Sequence, residues 1–317
     1  MLRLFEIQHG KIRESNSGSH YDNRALAEAA WIDLQEPEAD ERDLLEQLLR
    51  TELPESEDVD ELESSARYFV DTAGIHVHSL YLTQSEGRHA TATAAFILQP
   101  QRLITVRDSE LADFRLLRMR ARRDQVEAHS AQELLTLLFE QKVENLADAL
   151  EDNYLKLGEV SHLVLEDEGA DLEEAIDYLA KLEDSNGKIR LCLMDTQRSV
   201  AFLQRQFKDD ANLRESCWGI LRDIDTLLSH TTFLFEKINF LMDSTQGFIN
   251  IEQSKIIKIF SIAAVVFLPP TMVASIYGMN FKYMPELDWL LGYPWALLLM
   301  LMAGMAPFLY FKKKGWL

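Results

Sequence analysis

Cysteine is nearly absent from this 317-residue chain. Cys192 and Cys217 stand 25 residues apart without a Cys-x-x-Cys spacing, which excludes a disulfide framework and a thiolate zinc site. Proline and glycine are scarce, at 8 and 13 residues, which excludes collagen-like repeats and a low-complexity disordered chain. No proline occurs between Pro100 and Pro269, so nothing in that interval forbids very long helices. Also missing are a P-loop, a dinucleotide-binding glycine motif and a nucleophile elbow, which leaves no residue constellation for an ATP-driven pump or for any other enzyme. Met1 to Gly10 has no continuous apolar core of the signal-peptide kind, and the N-terminus is expected to stay in the cytoplasm. Positive charge is in deficit as well. The formal net charge of -20 argues against affinity for nucleic acid.

That charge is unevenly spread. Residues 251–317 hold six basic and three acidic groups, a net +3, so residues 1–250 carry -23. Within the basic end lie nineteen residues without a charge, Ile259 to Tyr277, and then twenty-three more, Trp289 to Phe311. A bilayer core of about 30 Å takes roughly 20 helical residues to cross, so both runs are read as membrane spans. Lys255 and Lys258 precede the first and Lys312 to Lys314 follow the second, while the connection Phe281 to Leu291 carries Lys282 against Glu286 and Asp288. Positive charge stays inside, which orients both termini to the cytoplasm. Trp289, Tyr293 and Trp295 on one side, and Tyr310 and Trp316 on the other, suit interfacial aromatic belts.

The acidic remainder reads as a cytoplasmic α/β domain followed by helices. Short β-rich runs at Leu2–Ile7, Ala29–Leu34, Ile75–Leu82, Thr93–Leu98 and Arg102–Arg107 are separated by helical stretches such as Glu38–Arg50 and Ser109–Arg123. From Ala131 the strand signals stop. Phe139, Val143, Leu146, Leu150, Tyr154 and Leu157 recur at helical spacing, and one further helix is expected from about Ala211 to Tyr277, continuous with the first span. The organisation expected is 1–130 α/β domain, 131–255 helical region with a long stalk, 256–280 first span, 281–289 external loop, 290–311 second span and 312–317 basic tail. His76-Val77-His78 sets two imidazoles on one face of a strand; lacking a third ligand in sequence, they are expected to face solvent.

Along the stalk and first span, Asp243, Gly247, Asn250, Ser254, Ile257, Ser261, Ala264, Leu268, Thr271 and Ser275 recur in steps of four and three. This is a heptad-type seam facing a shared axis. Its mixture of small, hydroxyl, amide, carboxylate and two aliphatic side chains suits a water-containing passage with a narrow apolar section. Small residues also simply let membrane helices approach closely, and the pattern leaves both readings open.

The first span ends in Tyr277-Gly278-Met279-Asn280, and the loop continues Phe281-Lys282-Tyr283-Met284-Pro285-Glu286-Leu287. Here the sequence resembles the CorA family of divalent-cation transporters, whose signature is Gly-Met-Asn at the outer end of the first of two C-terminal spans, followed by a Met-Pro-Glu-Leu loop. The tail Lys312-Lys313-Lys314-Gly315-Trp316-Leu317 and two N-terminal stretches, Ser64 to Phe69 and Ala112 to Arg122, resemble enterobacterial members of that family, so the likeness covers nearly the whole chain.

The resemblance implies a funnel-shaped homopentamer with the first spans around a pore, passing Mg²⁺ and also Co²⁺ and Ni²⁺. Mg²⁺ gives up water reluctantly, so amide oxygens of Asn280 would receive the hydrated ion, with Gly278 letting a backbone carbonyl turn inward and Met279 completing the motif. Gly278 and Asn280 also suit a helix C-cap. Glu286 would raise the cation concentration at the outer mouth. Further in, Thr271 and Ser275 would contact the ion's water, Leu268 and Ile257 would form apolar gates, and Asp243 an acidic ring at the cytoplasmic exit. Family members often carry Asn where Ser254 stands, which leaves open whether Ser254 or Asn250 supplies a polar constriction. By the same resemblance, Mg²⁺ bound between subunits at Asp60, Glu61 and Asp223 would close the pore. Divalent cations there would also relieve the mutual repulsion of so acidic a chain. A Zn²⁺ transporter of the same superfamily, or a membrane-anchored cytoplasmic sensor or scaffold, are the rival readings.

Overall fold

The computed structural model describes residues 1–15, 23–49, 67–85, 87–167 and 169–315. It divides into two compact units, Met1–Met242 and Asp243–Leu317. In the first, strands β1 Leu2–Gln8, β2 Lys11–Glu14, β3 Trp31–Gln35, β4 Tyr68–Val70, β5 Ile75–Ser85, β6 Arg88–Leu98 and β7 Leu103–Arg107 form one sheet in the order β2-β1-β3-β7-β6-β5-β4. The β3–β7 pair is parallel, Trp31 opposite Leu103, whereas the other described pairings are antiparallel. The β5–β6 hairpin is longer than apolar alternation predicts. Its tip, Arg88 to Ala92, is polar and small, and it is held by cross-strand pairing down to Ser85 opposite Arg88.

Both faces of the sheet are covered, giving an α/β/α arrangement. Helices α1 Asn23–Glu28 and α2 Ala39–Leu49 bring Leu26 and Leu45 against Leu4, Ile32, Leu34, Ile97 and Ile104. On the opposite face, α3 Ala112–Arg122, α4 Ala131–Glu166, α5 Leu172–Gln206 and α6 Ala211–Tyr277 enclose Phe96, Phe114, Phe139, Ile189 and Cys217. Past the sheet, Leu157, Leu179, Leu234 and Ile238 form a smaller core of helix on helix. The helices start where the sequence supplies caps. Ser130 Oγ accepts from Glu133 N at 3.1 Å, Asp171 Oδ1 from Glu173 and Glu174 N, and Asp210 Oδ1 from Asn212 and Leu213 N at 3.0 Å.

Two buried polar networks lock this core. Asp33 on β3 is inaccessible and accepts from Arg107 Nη2 at 2.9 Å, Arg118 Nη1 at 3.3 Å and Thr105 Oγ1 at 2.8 Å, tying β3 and β7 to α3. Asp195 on α5 accepts from Ser79 Oγ at 2.6 Å and the Leu80 amide at 2.8 Å, and Lys142 Nζ on α4 donates to Ser79 Oγ at 2.8 Å while lying over the Tyr81 ring. Burial lowers the Lys142 pKa, opposed by the Asp195 charge nearby.

The histidine pair departs from expectation. His76 and His78 do share a face of β5, but both are buried, at 4% and 2% exposure. Phe69 of the edge strand β4 stacks on His76 at 4.3 Å and lies 6.3 Å from His78, and His76 Nε2 meets Asp71 Oδ1 at 3.0 Å. The neighbouring strand supplies the cover that the dipeptide spacing could not reveal. Burial, then the neighbouring His76 and Arg67, lower the His78 pKa to about 4.

Candidate functional site

In the second unit, α6 and then α7 Gly292–Lys313 are each long and apolar enough to cross a membrane. Pro269 and Pro270 lie inside α6, and without amide hydrogens they release the carbonyls of Val265 and Val266 from their helical bonds. The packing of α7 follows from this. A β-carbon on Gly304 would lie 3.1 Å from Pro270 Cγ and 3.5 Å from the Val266 carbonyl oxygen, so the glycine allows close contact at the altered turn.

The half-buried residues of the first span, Ile262, Val266, Pro269, Pro270, Val273 and Tyr277, therefore lie on one side of α6. The seam residues lie on the other, centred about 150° away at about 100° per residue. Asp243, Asn250, Ser254, Ile257, Ser261, Ala264, Leu268, Thr271 and Ser275 are all exposed, and Gly247 is half-buried. Within one chain they are strung along the helix and do not converge. Two hydroxyls of the seam are turned back on the helix: Ser261 Oγ donates to the Ile257 carbonyl at 2.7 Å and Thr271 Oγ1 to the Phe267 carbonyl at 2.8 Å. Their lone pairs remain available as acceptors.

At its C-terminal end, α6 stops at Tyr277, with the Gly278 amide bonded to the Ala274 carbonyl at 2.9 Å and Met279 N to Ile276 O at 3.3 Å. Gly278 directly follows the last helical residue, where a C-cap would stand, without the left-handed backbone of an αL cap. A β-carbon there would lie 3.1 Å from the Ala274 carbonyl oxygen, a tight contact that a shift of a few tenths of an ångström would relieve. Met279 and Asn280 follow, both exposed, and Glu286 is exposed on the 3₁₀ turn Pro285–Asp288.

Of the proposed control residues, Asp60 and Glu61 lie outside the described residues. Asp223 is exposed on α6 in the first unit, 3.9 Å from Arg222 Nε, and lines a cleft of about 510 Å³ with Glu140 and Glu144 of α4. Burial, then the Glu144 charge, raise the Glu140 pKa, with Asp223 adding to it. Among the described residues no group of three His, Cys, Asp or Glu side chains is arranged to hold a metal ion. Sequence reasoning missed Gly292 and Gly304, whose role is steric and leaves no periodic signal.

A family model for the CorA-like Mg²⁺ transporter protein matches residues 27–313. The chain belongs to the CorA family. It is 46% identical over 319 aligned residues, covering all of both chains, to the magnesium transport protein CorA of Escherichia coli strain K12. Its fold is similar to that of the CorA magnesium transporter of Methanocaldococcus jannaschii, with a TM-score of 0.78 and 18% identity over 100% of this chain and 99% of that one. It is also similar to the full-length CmaX protein, with a TM-score of 0.70 and 17% identity over 99% and 97%. CorA relatives are named as transport proteins, and a CorA chain with two apolar helices of spanning length is a membrane protein of the transporter kind.

Proposed function

We propose that this CorA-family protein is a channel-like transporter admitting Mg²⁺, and also Co²⁺ and Ni²⁺, across the bacterial inner membrane with both termini in the cytoplasm. Copies assemble as a homopentamer with the α6 seams facing a common axis and α7 outside them. The observation that carries this reading is the division of α6 into two faces. α7 occupies the side of Val266 and Pro270, leaving the polar and small residues that end at Gly278-Met279-Asn280 exposed. A helix that only tethered the protein would have no use for such a face.

Asn280 side chains offer amide oxygens to the water hydrogens of the hydrated ion, which spares Mg²⁺ the dehydration it resists. Thr271 and Ser275 accept from the same water coat, Leu268 and Ile257 form apolar constrictions, Asn250 or Ser254 forms a polar one, and Asp243 an acidic ring at the exit. Inward movement needs no nucleotide, since 100 mV supplies about 2.3 kcal/mol per unit charge and twice that for Mg²⁺. Cytoplasmic Mg²⁺ bound between neighbouring subunits at Asp60, Glu61 and Asp223 holds the pore closed. The test is dye-monitored Mg²⁺ uptake into proteoliposomes by the wild type and Asn280→Ala. Loss of uptake in the variant supports the assignment, and equal uptake defeats it.

A further inference from the structure

Glu286 and Gly292 are brought together by a reversal of the chain between the 3₁₀ turn and the first turn of α7. The Gly292 amide donates to the Trp289 carbonyl at 2.9 Å, and Trp295 N to the Leu291 carbonyl at 3.0 Å. Gly292 is buried although the residues on either side of it are exposed. A β-carbon built there would lie 2.2 Å from the Glu286 carbonyl oxygen and 3.4 Å from its carbonyl carbon. The first distance is far inside any tolerable contact, and the obstacle is backbone, which cannot swing aside as a side chain can. The backbone at Gly292 is not in the left-handed region, so glycine is needed there for space and not for its conformational freedom. The carbonyl of Glu286 thus sits where a side chain at 292 would be, and the turn Pro285–Asp288 closes over the start of α7. Since α7 is itself seated on α6 through Gly304 against Pro270, one steric path runs from the first span to the carboxylate of the loop.

We propose that Gly292 is a positioning residue for cation capture, fixing Glu286 at the outer mouth by leaving room for its backbone. This deepens the reading given above and rests on its assignment of Glu286. Any larger residue at 292 moves the turn outward and carries the carboxylate away from the path of the incoming ion.

The test is a double-mutant cycle on Mg²⁺ uptake by the full-length protein in proteoliposomes, normalised to reconstituted protein, with half-saturating concentration and maximal rate measured separately. Glu286→Gln is expected to raise the half-saturating concentration about 3- to 10-fold by removing the local negative charge. Gly292→Ala is expected to raise it by a similar factor with the maximal rate nearly unchanged, and to add nothing in the Glu286→Gln background. Glu286→Asp, which withdraws the carboxylate by one methylene without touching position 292, keeps the idea testable if Gly292→Ala does not assemble, and it is expected to raise the half-saturating concentration as well. If Glu286→Gln leaves that concentration unchanged, the assignment of Glu286 is wrong and the proposal goes with it. If Glu286→Gln acts but Gly292→Ala is silent, lowers only the maximal rate, or adds its full effect in the double variant, Gly292 does not act through Glu286. Wild-type behaviour of Glu286→Asp beside an active Glu286→Gln overturns the positioning role alone.

Discussion

Gly304 faces Pro270 across the two apolar helices, with room for a β-carbon only at 3.1 Å from the proline Cγ. One helix lacks a side chain where the other lacks an amide hydrogen, and the exposed seam is thereby kept on the far side of α6. Gly304→Ala needs a shift of only a few tenths of an ångström and should be tolerated. Gly304→Leu overpacks the contact, at a cost of about 1–3 kcal/mol, and should lower both thermal stability in detergent and Mg²⁺ uptake. Unchanged uptake by the Leu variant would mean that this contact does not orient the seam.

The buried pair of Asp33 and Arg107 in the first unit predicts a large stability effect. Arg107→Met leaves Asp33 with part of its charge uncompensated inside the protein, and removing one partner of such a pair costs about 3–5 kcal/mol. Breaking an exposed helical pair with Lys181→Met, which removes the 2.6 Å contact to Asp177, should leave denaturant midpoints nearly unchanged.

Asp113 and His78 should give stability opposite dependences on pH. Burial pushes the Asp113 carboxyl up to about 6 from 3.8, so its contribution is fullest below pH 4 and is lost as pH rises through 6. His78 is pushed down to about 4 from 6.5, so its contribution is fullest above pH 6.5 and is lost as pH falls through 4. Each shift corresponds to about 3 kcal/mol at most. With Asp113→Asn, the melting temperature should fall more steeply from pH 6.5 to 4 than in the wild type. With His78→Asn it should fall as pH rises from 4 to 6. Matching slopes in all three proteins would show that these groups are not buried as described.

Much of this architecture could be read from the sequence, and the exceptions share a cause. The long helix was legible because helical periodicity ran on without a proline to Pro269, and the two spans because an uncharged run of that length has few alternatives. The parallel pairing of Trp31 with Leu103 was not, since it joins strands far apart in sequence. Asp33, Arg107, Lys142 and Asp195 read as ordinary charges of an acidic chain until their partners arrive from other elements. The burial of His76 and His78 depends in the same way on Phe69. In the second unit the seam and the Gly-Met-Asn end were visible as pattern and resemblance. Gly292 and Gly304 were not, because a missing side chain has meaning only beside the atoms that would occupy its place.

If Asp223 contributes to a regulatory cation site between copies, Asp223→Ala should require several-fold more Mg²⁺ on the cytoplasmic side to suppress transport, with the outer half-saturating concentration unchanged. Wild-type suppression in currents from patches exposed to graded cytoplasmic Mg²⁺ would exclude Asp223 from that role.

The central claim is that the seam of α6 borders the aqueous path of the ion. Single cysteines can test it against a quiet background, because burial raises the thiols of Cys192 and Cys217 to about 11 and leaves them largely unreactive near neutral pH. Ser275→Cys, Thr271→Cys and Leu268→Cys should be modified by a charged, water-borne methanethiosulfonate reagent, which should block Mg²⁺ uptake. Val266→Cys and Val273→Cys, on the half-buried side of α6 where Gly304 meets Val266 and Pro270, should be spared. Block at Val266 and Val273 with the seam positions inert would contradict the account.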